Sequence, residues 1–264
     1  MDSSALPTPV PGVLVVHQDN PGPMTLDGTQ SFVIPTPAGA IVVDPGDDDA
    51  AHQGALATLG PVALILVTHR HHDHVGGLAR LRELTGAPSR GADAAFSVGA
   101  PPLRDGEAIE ASDGFTVRVL ATPGHTSDSI SLVLERDGSP LGVLTGDTLL
   151  GRGTTILDHP DGKLSDYLRS LDALEALGPV PALPAHGGFP GPVDALAAAY
   201  RAHRLERLEQ VRAAVGALRA QGQTPDVGPV TDVVYADVTP SVRPAAEHTV
   251  AAQLALLAEL GELA

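Results

Sequence analysis

The chain has 264 residues, room for one sizeable core and a small appendage at ~150 residues per domain. Sixteen Lys and Arg stand against 32 Asp and Glu, a formal net charge of −16, so the long-range field repels nucleic acid and anionic lipid except at a local basic groove. The absence of cysteine excludes disulfide-linked partners, thiolate metal sites and cysteine nucleophiles.

Residues 1–11 carry no Lys or Arg and no apolar stretch before a cleavage site, and no apolar run reaches the ~18 residues of a membrane span. The expectation is a soluble, cytoplasmic protein with no membrane partner. The runs 13–17, 31–34, 41–43 and 62–67 read as strands, and 78–85 as a helix. Further strands are expected at 115–120, 130–134 and 141–144. Residues 165–177 read as a helix with Leu168, Leu171, Leu174 and Leu177 on one face and Gly178 as its stop. Prolines around 180–183 confine that run to a sheet edge or a strand end. A long helix is expected from Val193 to about Ala220. Twenty-nine Gly and 24 Pro keep the elements short, and strands apolar on both faces predict layered α/β packing. Residues 221–229 read as a turn-rich linker and 231–264 as mostly helical, with Val250, Leu254, Leu257 and Leu260 at helix spacing. The domain division is therefore 1–220 and 221–264, the second part too small to be stable undocked.

One segment carries the chemistry: Thr68-His69-Arg70-His71-His72-Asp73-His74-Val75-Gly76-Gly77, directly after the run 62–67. Two histidines at i and i+2 of extended chain face one side, so His69 and His71 can share an ion. A bend would then turn Asp73 and His74 toward a neighbouring ion, and Gly76 and Gly77 permit both that bend and a close backbone approach before the next helix. Three more donors sit in loops after apolar runs: His125 in Pro123-Gly124-His125-Thr126, Asp147 after Gly146, and His186 in Ala185-His186-Gly187-Gly188. Imidazole and carboxylate suit Zn²⁺, with Fe or Mn as alternatives. His72 reads as a rim residue. Asp44, before Pro45-Gly46, either orients a ligand imidazole or merely forms a turn. His17, His52, His159 and His248 lack ligand neighbours.

These ordered motifs, covering residues 13–190, resemble the metallo-β-lactamase superfamily. The resemblance implies an αββα four-layer sandwich with a small helical C-terminal subdomain. It also implies a hydrolase with two Zn²⁺ per chain. By motif, His69, His71 and His125 would hold one ion, Asp73, His74 and His186 the other, and Asp147 would bridge them. A hydroxide between the ions would be the nucleophile, Asp73 the catalytic residue that orients it, and Thr126 a candidate for substrate or supporting contact. Without Cys the cysteine-dependent lactamase subclasses do not apply, and 38 residues between Asp147 and His186 leave no room for a large inserted nuclease domain. The flavin-linked diiron branch would place Glu at position 71.

The stretches 20–29, 146–155 and 200–207 resemble the lactamase-like endoribonuclease branch, and the tail its small winged-helix-like end. Residues 221–264 hold six acids against one Arg, against a nucleic-acid reader, and fit packing on the main domain or shaping the site mouth. Arg201, Arg204, Arg207 and Arg212 read first as a charge-mixed solvated face, and otherwise as a phosphate grip. Three functions compete: cleavage of single-stranded RNA, toward which the branch leans; glyoxalase II-like hydrolysis of a small ester or thioester; and a non-catalytic, metal-stabilised interaction protein. The corresponding partners are RNA or a small acyl substrate.

Overall fold

A computed structural model describes residues 5–112, 114–240 and 242–263. Met1–Ser4, at the start of the segment read above as lacking a leader, lie outside the described residues, as do Asp113, Ser241 and Ala264. Strands β1 (Ala5–Pro7), β2 (Leu14–Gln18), β3 (Thr29–Thr36), β4 (Gly39–Val43), β5 (Val62–Leu66) and β6 (Ser89–Arg90) form one sheet in that order. It is antiparallel up to β4 and parallel from β4 to β6. The second sheet has the order β11-β10-β9-β8-β7, from β7 (Ala108–Ser112), β8 (Phe115–Ala121), β9 (Ile130–Arg136), β10 (Ser139–Gly146) and β11 (Ala182–Pro184). Only its β10–β11 pair is parallel.

Side-chain alternation makes the layers. Ile41 and Val43 of β4 face inward and meet Val117, Leu132 and Leu134 of the second sheet, while Ala40 and Val42 face outward. The outward face is covered by Leu56 of α1 (Ala50–Thr58) and by Leu78 and Leu81 of α3 (Leu78–Thr85), with the short α2 (His72–Val75) between them. Val133 and Val143 point out of the second sheet onto α4 (Leu164–Glu175) and α5 (Val193–Ala220). The result is the αββα sandwich; strands such as β4 and β9 are buried on both faces, which explains their continuous apolar runs, whereas β8 alternates.

After α5 come α6 (Val227–Val234) and α7 (Arg243–Glu259). Val230, Val250, Leu254 and Leu257 join the same core as Leu171, Leu174, Leu208 and Val211 of α4 and α5. Leu260, expected on that stripe, lies past the helix end and is 57% exposed. The linker reading of 221–229 is corrected at its end. Asp226 is the N-cap of α6 and Pro229 its third residue, where no intrahelical N–H is lost. No strand follows β11 among the described residues, so the C-terminal part has helices without a wing.

Several elements escaped the sequence reading. α1 is rich in alanine and carries no apolar stripe, although Asp49 caps it by accepting from the His52 N–H at 2.7 Å. β7 is a mixed edge strand, and β1 and β6 are too short to leave a pattern. α4 ends at Glu175, so Leu177 follows the helix rather than closing its stripe.

Candidate metal centre

All seven expected donors meet at one rim of the sandwich. His69 and His71 follow β5, Asp73 and His74 lie in α2, His125 follows β8, Asp147 follows β10, and His186 follows β11. Two sheets thus end at a common edge, where loops can carry chemistry on a rigid frame. One group joins His69, His71 and His125; a second joins Asp73, His74 and His186; His69, His74 and Asp147 connect them, with donor atoms of each group within 4.8 Å.

In the first group, His71 Nδ1 lies 3.1 Å from His69 Nε2 and 3.0 Å from His125 Nε2. Tetrahedral ligation of Zn²⁺ at ~2.05 Å would separate two nitrogens by ~3.3 Å, so this triangle fits. Asp147 divides its oxygens: Oδ2 is 3.8 Å from His125 Nε2, while Oδ1 is 3.4 Å from His74 Nε2 and 3.3 Å from His186 Nε2. Asp73 Oδ2 is 3.1 Å from His186 Nε2 and 3.7 Å from His74 Nε2.

The far side of each ring is held. His125 Nδ1 donates to the Ile156 carbonyl at 2.8 Å and His186 Nδ1 to that of Gly28 at 3.1 Å. His71 Nε2 faces Asp158 Oδ2 at 3.3 Å. Asp44 has features of both alternatives left open by sequence. Its φ of 53° turns the chain after β4, and its carboxylate reaches the site. Oδ1 accepts from the Thr68 N–H at 2.8 Å; Oδ2 accepts from the Thr68 hydroxyl at 2.7 Å and from His74 Nδ1 at 2.9 Å. Having donated its proton, the Thr68 oxygen accepts from His69 Nδ1 at 3.2 Å. Five imidazoles therefore each turn one ring nitrogen to a common centre, the orientation expected of metal-binding histidines.

Among the described residues, His74 Nε2, His186 Nε2 and Asp147 Oδ1 are buried without any hydrogen-bond partner. Buried polar atoms without partners are rare and costly. Three converging on one point fit a site for a cation. The electrostatics divide the centre. Burial holds His69 well below the usual histidine range, aided by His74 and His125, and burial brings His125 down to about 4. For His74 and His186 burial also opposes charge, but Asp44, Asp147 and Asp73 outweigh it and both are raised. Asp147 is driven well below the carboxylate range: desolvation is overcome by the neighbouring His186 and His74.

The bend predicted at Gly76 and Gly77 occurs earlier, at His71, which is extended (φ −63°, ψ 146°) just before α2. Gly76 is right-handed helical, and the close approach also expected of the two glycines is what the structure shows. A Cβ at Gly77 would stand 2.0 Å from Gln53 Nε2. His72 is a rim residue, its ring 79% exposed and its Nδ1 2.7 Å from Asp47 Oδ1. Thr126 is fully buried, its hydroxyl used within the turn on Asp128 and Ser129, so the structure gives it no route to substrate.

Sequence reasoning missed the groups that hold the loops. Tyr167 donates to the Thr148 carbonyl at 2.6 Å, and the Tyr200 hydroxyl accepts from the Leu150 N–H at 3.0 Å, clamping the segment after Asp147 from α4 and α5. Arg204 is 2% exposed, stacks 5.2 Å over the Tyr167 ring and donates to the Thr155 carbonyl, which corrects its reading as a solvated residue. Arg201 pairs with Asp172, Arg207 covers the Tyr235 ring, and Arg212 pairs with Glu209 and Glu262. At the mouth, Arg70 is bound by Asp158 and Asp161, and Arg152 by Asp27. His248 of α7 lies 3.5 Å from Asp158, placing the tail beside the mouth. A single aromatic or Arg in an amphipathic helix leaves no signal that would have marked these contacts.

Residues 24–186 match the Metallo-beta-lactamase superfamily. The chain is 31% identical over 249 residues to a "Beta-lactamase-like protein 2 homolog" of Caenorhabditis elegans, covering 88% of this chain and 79% of that protein. It is 33% identical over 186 residues to an "Atrochrysone carboxyl ACP thioesterase" of Aspergillus fumigatus, covering 67% of this chain and 56% of that one. The chain thus spans about half the length of the thioesterase relatives it matches. In fold, it superposes on a beta-lactamase domain protein from Burkholderia ambifaria with a TM-score of 0.80 at 23% identity, covering 99% of this chain and 91% of that one. A metallo-beta-lactamase family protein from Thermus thermophilus gives 0.76 at 24% identity, over 96% and 95%. With more than half of its length matched to the family and its rim of histidines and aspartates in the matched region, the chain belongs to the metallo-beta-lactamase superfamily.

Proposed function

We propose that the protein is a binuclear, metal-dependent hydrolase, with a small ester or thioester as its substrate. The observation that carries the metal reading is the pair of donor sets sharing Asp147. His69 Nε2, His71 Nδ1, His125 Nε2 and Asp147 Oδ2 would hold one cation; Asp73 Oδ2, His74 Nε2, His186 Nε2 and Asp147 Oδ1 the other. The donors are nitrogen and oxygen only, which suits Zn²⁺ and admits Fe or Mn. Such a pair of cations lowers the pKa of water and stabilises negative charge on the attacked centre.

The chain's own residues do the rest. Asp73 and His71, with side chains 20% and 28% exposed, are the donors that reach the surface, so substrate enters on their side. Asp73 is the carboxylate placed to orient the attacking water and pass its proton to the leaving group. Asp44 and Asp158 keep His74 and His71 turned toward the centre. A purely structural site would need neither a shared carboxylate nor an opening at Asp73, which weighs against a non-catalytic interaction protein.

The acyl reading rests on charge. The five α5 arginines are all engaged, Arg219 by the Glu262 and Leu263 carbonyls, and both mouth arginines are held by carboxylates. Among the described residues, these arginines offer no free basic track to a polyanion, and several relatives bear thioesterase names. Single-stranded RNA is the second reading, favoured by the stretches 20–29, 146–155 and 200–207 that resemble the endoribonuclease branch. The test offers zinc-loaded protein and its Asp73→Ala variant S-lactoylglutathione or an acyl thioester, and labelled single-stranded RNA. Thiol release by the wild type and not by the variant is expected. RNA cleavage that depends on Asp73, with no thiol release, would overturn the acyl reading.

A further inference from the structure

Asp44 is the hinge of the centre. It fixes His74 directly and His69 through Thr68, one donor in each half of the site. It also occupies a left-handed conformation (φ 53°) that side-chain-bearing residues adopt at a cost, so something must hold its backbone. The Asp44 N–H donates to the Leu66 carbonyl at 2.9 Å, anchoring one side of the residue. The other side is its carbonyl, which accepts from the Ser31 hydroxyl at 2.5 Å. With its proton committed there, the Ser31 oxygen can only accept from its second neighbour, His52 Nε2 at 2.8 Å.

We propose that His52, through Ser31, is a positioning residue of the metal centre, the outer end of a one-directional relay running His52 N–H to Ser31 O–H to the Asp44 carbonyl. The inference rests on the metal reading of the site and adds a residue from α1, an element outside every motif. Ser31 is fully buried and His52 is 6% exposed, so the relay runs through the interior. Burial brings the His52 pKa down to about 4, which keeps the ring neutral and its single proton available to Ser31. The outer face of the ring lines a cleft of about 510 Å³ together with Val16, Gln18, Ala51 and Ala55. The imidazole thus touches both the Ser31 hydroxyl and that cleft. Loss of the ring would admit water to the hydroxyl, leaving Asp44 without a fixed partner and the rings of His74 and His69 less firmly aimed.

The experiment titrates metal-free protein with Zn²⁺ against a competing chelator, for the wild type, His52→Ala, His52→Gln and Ser31→Ala. Melting temperatures of the metal-free proteins are recorded alongside. Loss of a group supporting a metal-bound imidazole weakens binding roughly 10- to 100-fold, the range expected for His52→Ala and Ser31→Ala. His52→Gln keeps an N–H donor near the Nε2 position and is expected to bind within roughly threefold of wild type, given that the hydrogen bond and not the ring is what matters. Should His52→Ala fail to fold, Ser31→Ala, which removes one oxygen only, decides the matter. Wild-type affinity in Ser31→Ala, or a Gln variant as weak as the Ala variant, overturns the relay. A wild type that binds no zinc refutes the metal reading itself, a distinct result.

Discussion

The two halves of the centre should respond to pH in opposite ways, and zinc binding can show it. In the metal-free protein burial keeps His125 at about 4 and His69 well below its ordinary value, so both are neutral with lone pairs ready near neutral pH. His74 and His186 are raised, overcoming their burial through nearby Asp147 and Asp73 and, for His74, Asp44, so they keep a proton to higher pH than an ordinary histidine, and that proton competes with the second cation. The first equivalent therefore displaces no proton from His69 or His125, whereas the second displaces up to two. Each displaced proton makes the apparent Kd change ~10-fold per pH unit, since one unit is about 1.4 kcal/mol. The second equivalent should then tighten by up to ~100-fold per unit as pH rises from the ordinary histidine value toward the raised values, and level off above them. The same sign holds for folding. Stability that metal-free protein draws from protonated His74 is complete below the ordinary histidine pKa and fades as pH rises through the raised one. Calorimetry in two buffers of different ionisation enthalpy reads the protons directly. A second equivalent whose heat is the same in both buffers, or a first equivalent that releases the protons, would refute the assignment.

Asp147→Ala removes the one oxygen pair shared by both donor sets, and metal content measured after dialysis should fall from two equivalents to one or fewer while Asp73→Ala retains at least one. Gly124→Ala should destabilise strongly, by more than about 2 kcal/mol in denaturant unfolding. The residue has φ +137°, and an added Cβ would stand 2.4 Å from the Tyr167 Cα and Cβ. Leu171→Ala, at a fully buried position between α4, α5 and α7, should cost about 2–5 kcal/mol in the same measurement.

Sequence exposed the centre well because its donors are rare residue types placed directly after apolar runs. His69, His125, Asp147 and His186 each follow a strand whose buried apolar residues made it visible. The strands that packing leaves exposed, such as β7, and the helix without an apolar stripe, α1, were invisible for the converse reason. His52 illustrates the limit. Nothing near it in sequence marks a function, because its partner Ser31 lies on β3 and the residue they serve lies on the loop after β4. Arg204 illustrates another. Its spacing among Glu and Arg matches a solvated face, and only the tertiary position of Tyr167 buries it.

Charge supplies a test between the two substrate readings that needs no variant. Individually, the pairs that occupy the mouth arginines are weak obstacles: Arg152 and Asp27 are each 59% exposed, and such pairs contribute about 0–1 kcal/mol. A phosphate could displace Asp27 at little cost. The net charge of −16 acts differently, because it opposes every approach of a polyanion over distances up to the Debye length, ~8 Å at physiological ionic strength. Shortening that length with salt relieves the repulsion, so an acidic enzyme that cleaves RNA should have a kcat/KM that rises with added KCl. A neutral or singly charged thioester experiences little of this field, and its kcat/KM should stay nearly flat over the same range. An enzyme that instead gripped RNA phosphates through a basic track would lose affinity steeply with salt. RNA turnover that falls with KCl would therefore show that phosphates displace the carboxylates from Arg70, Arg152 or the α5 arginines, and would sink the charge argument for an acyl substrate.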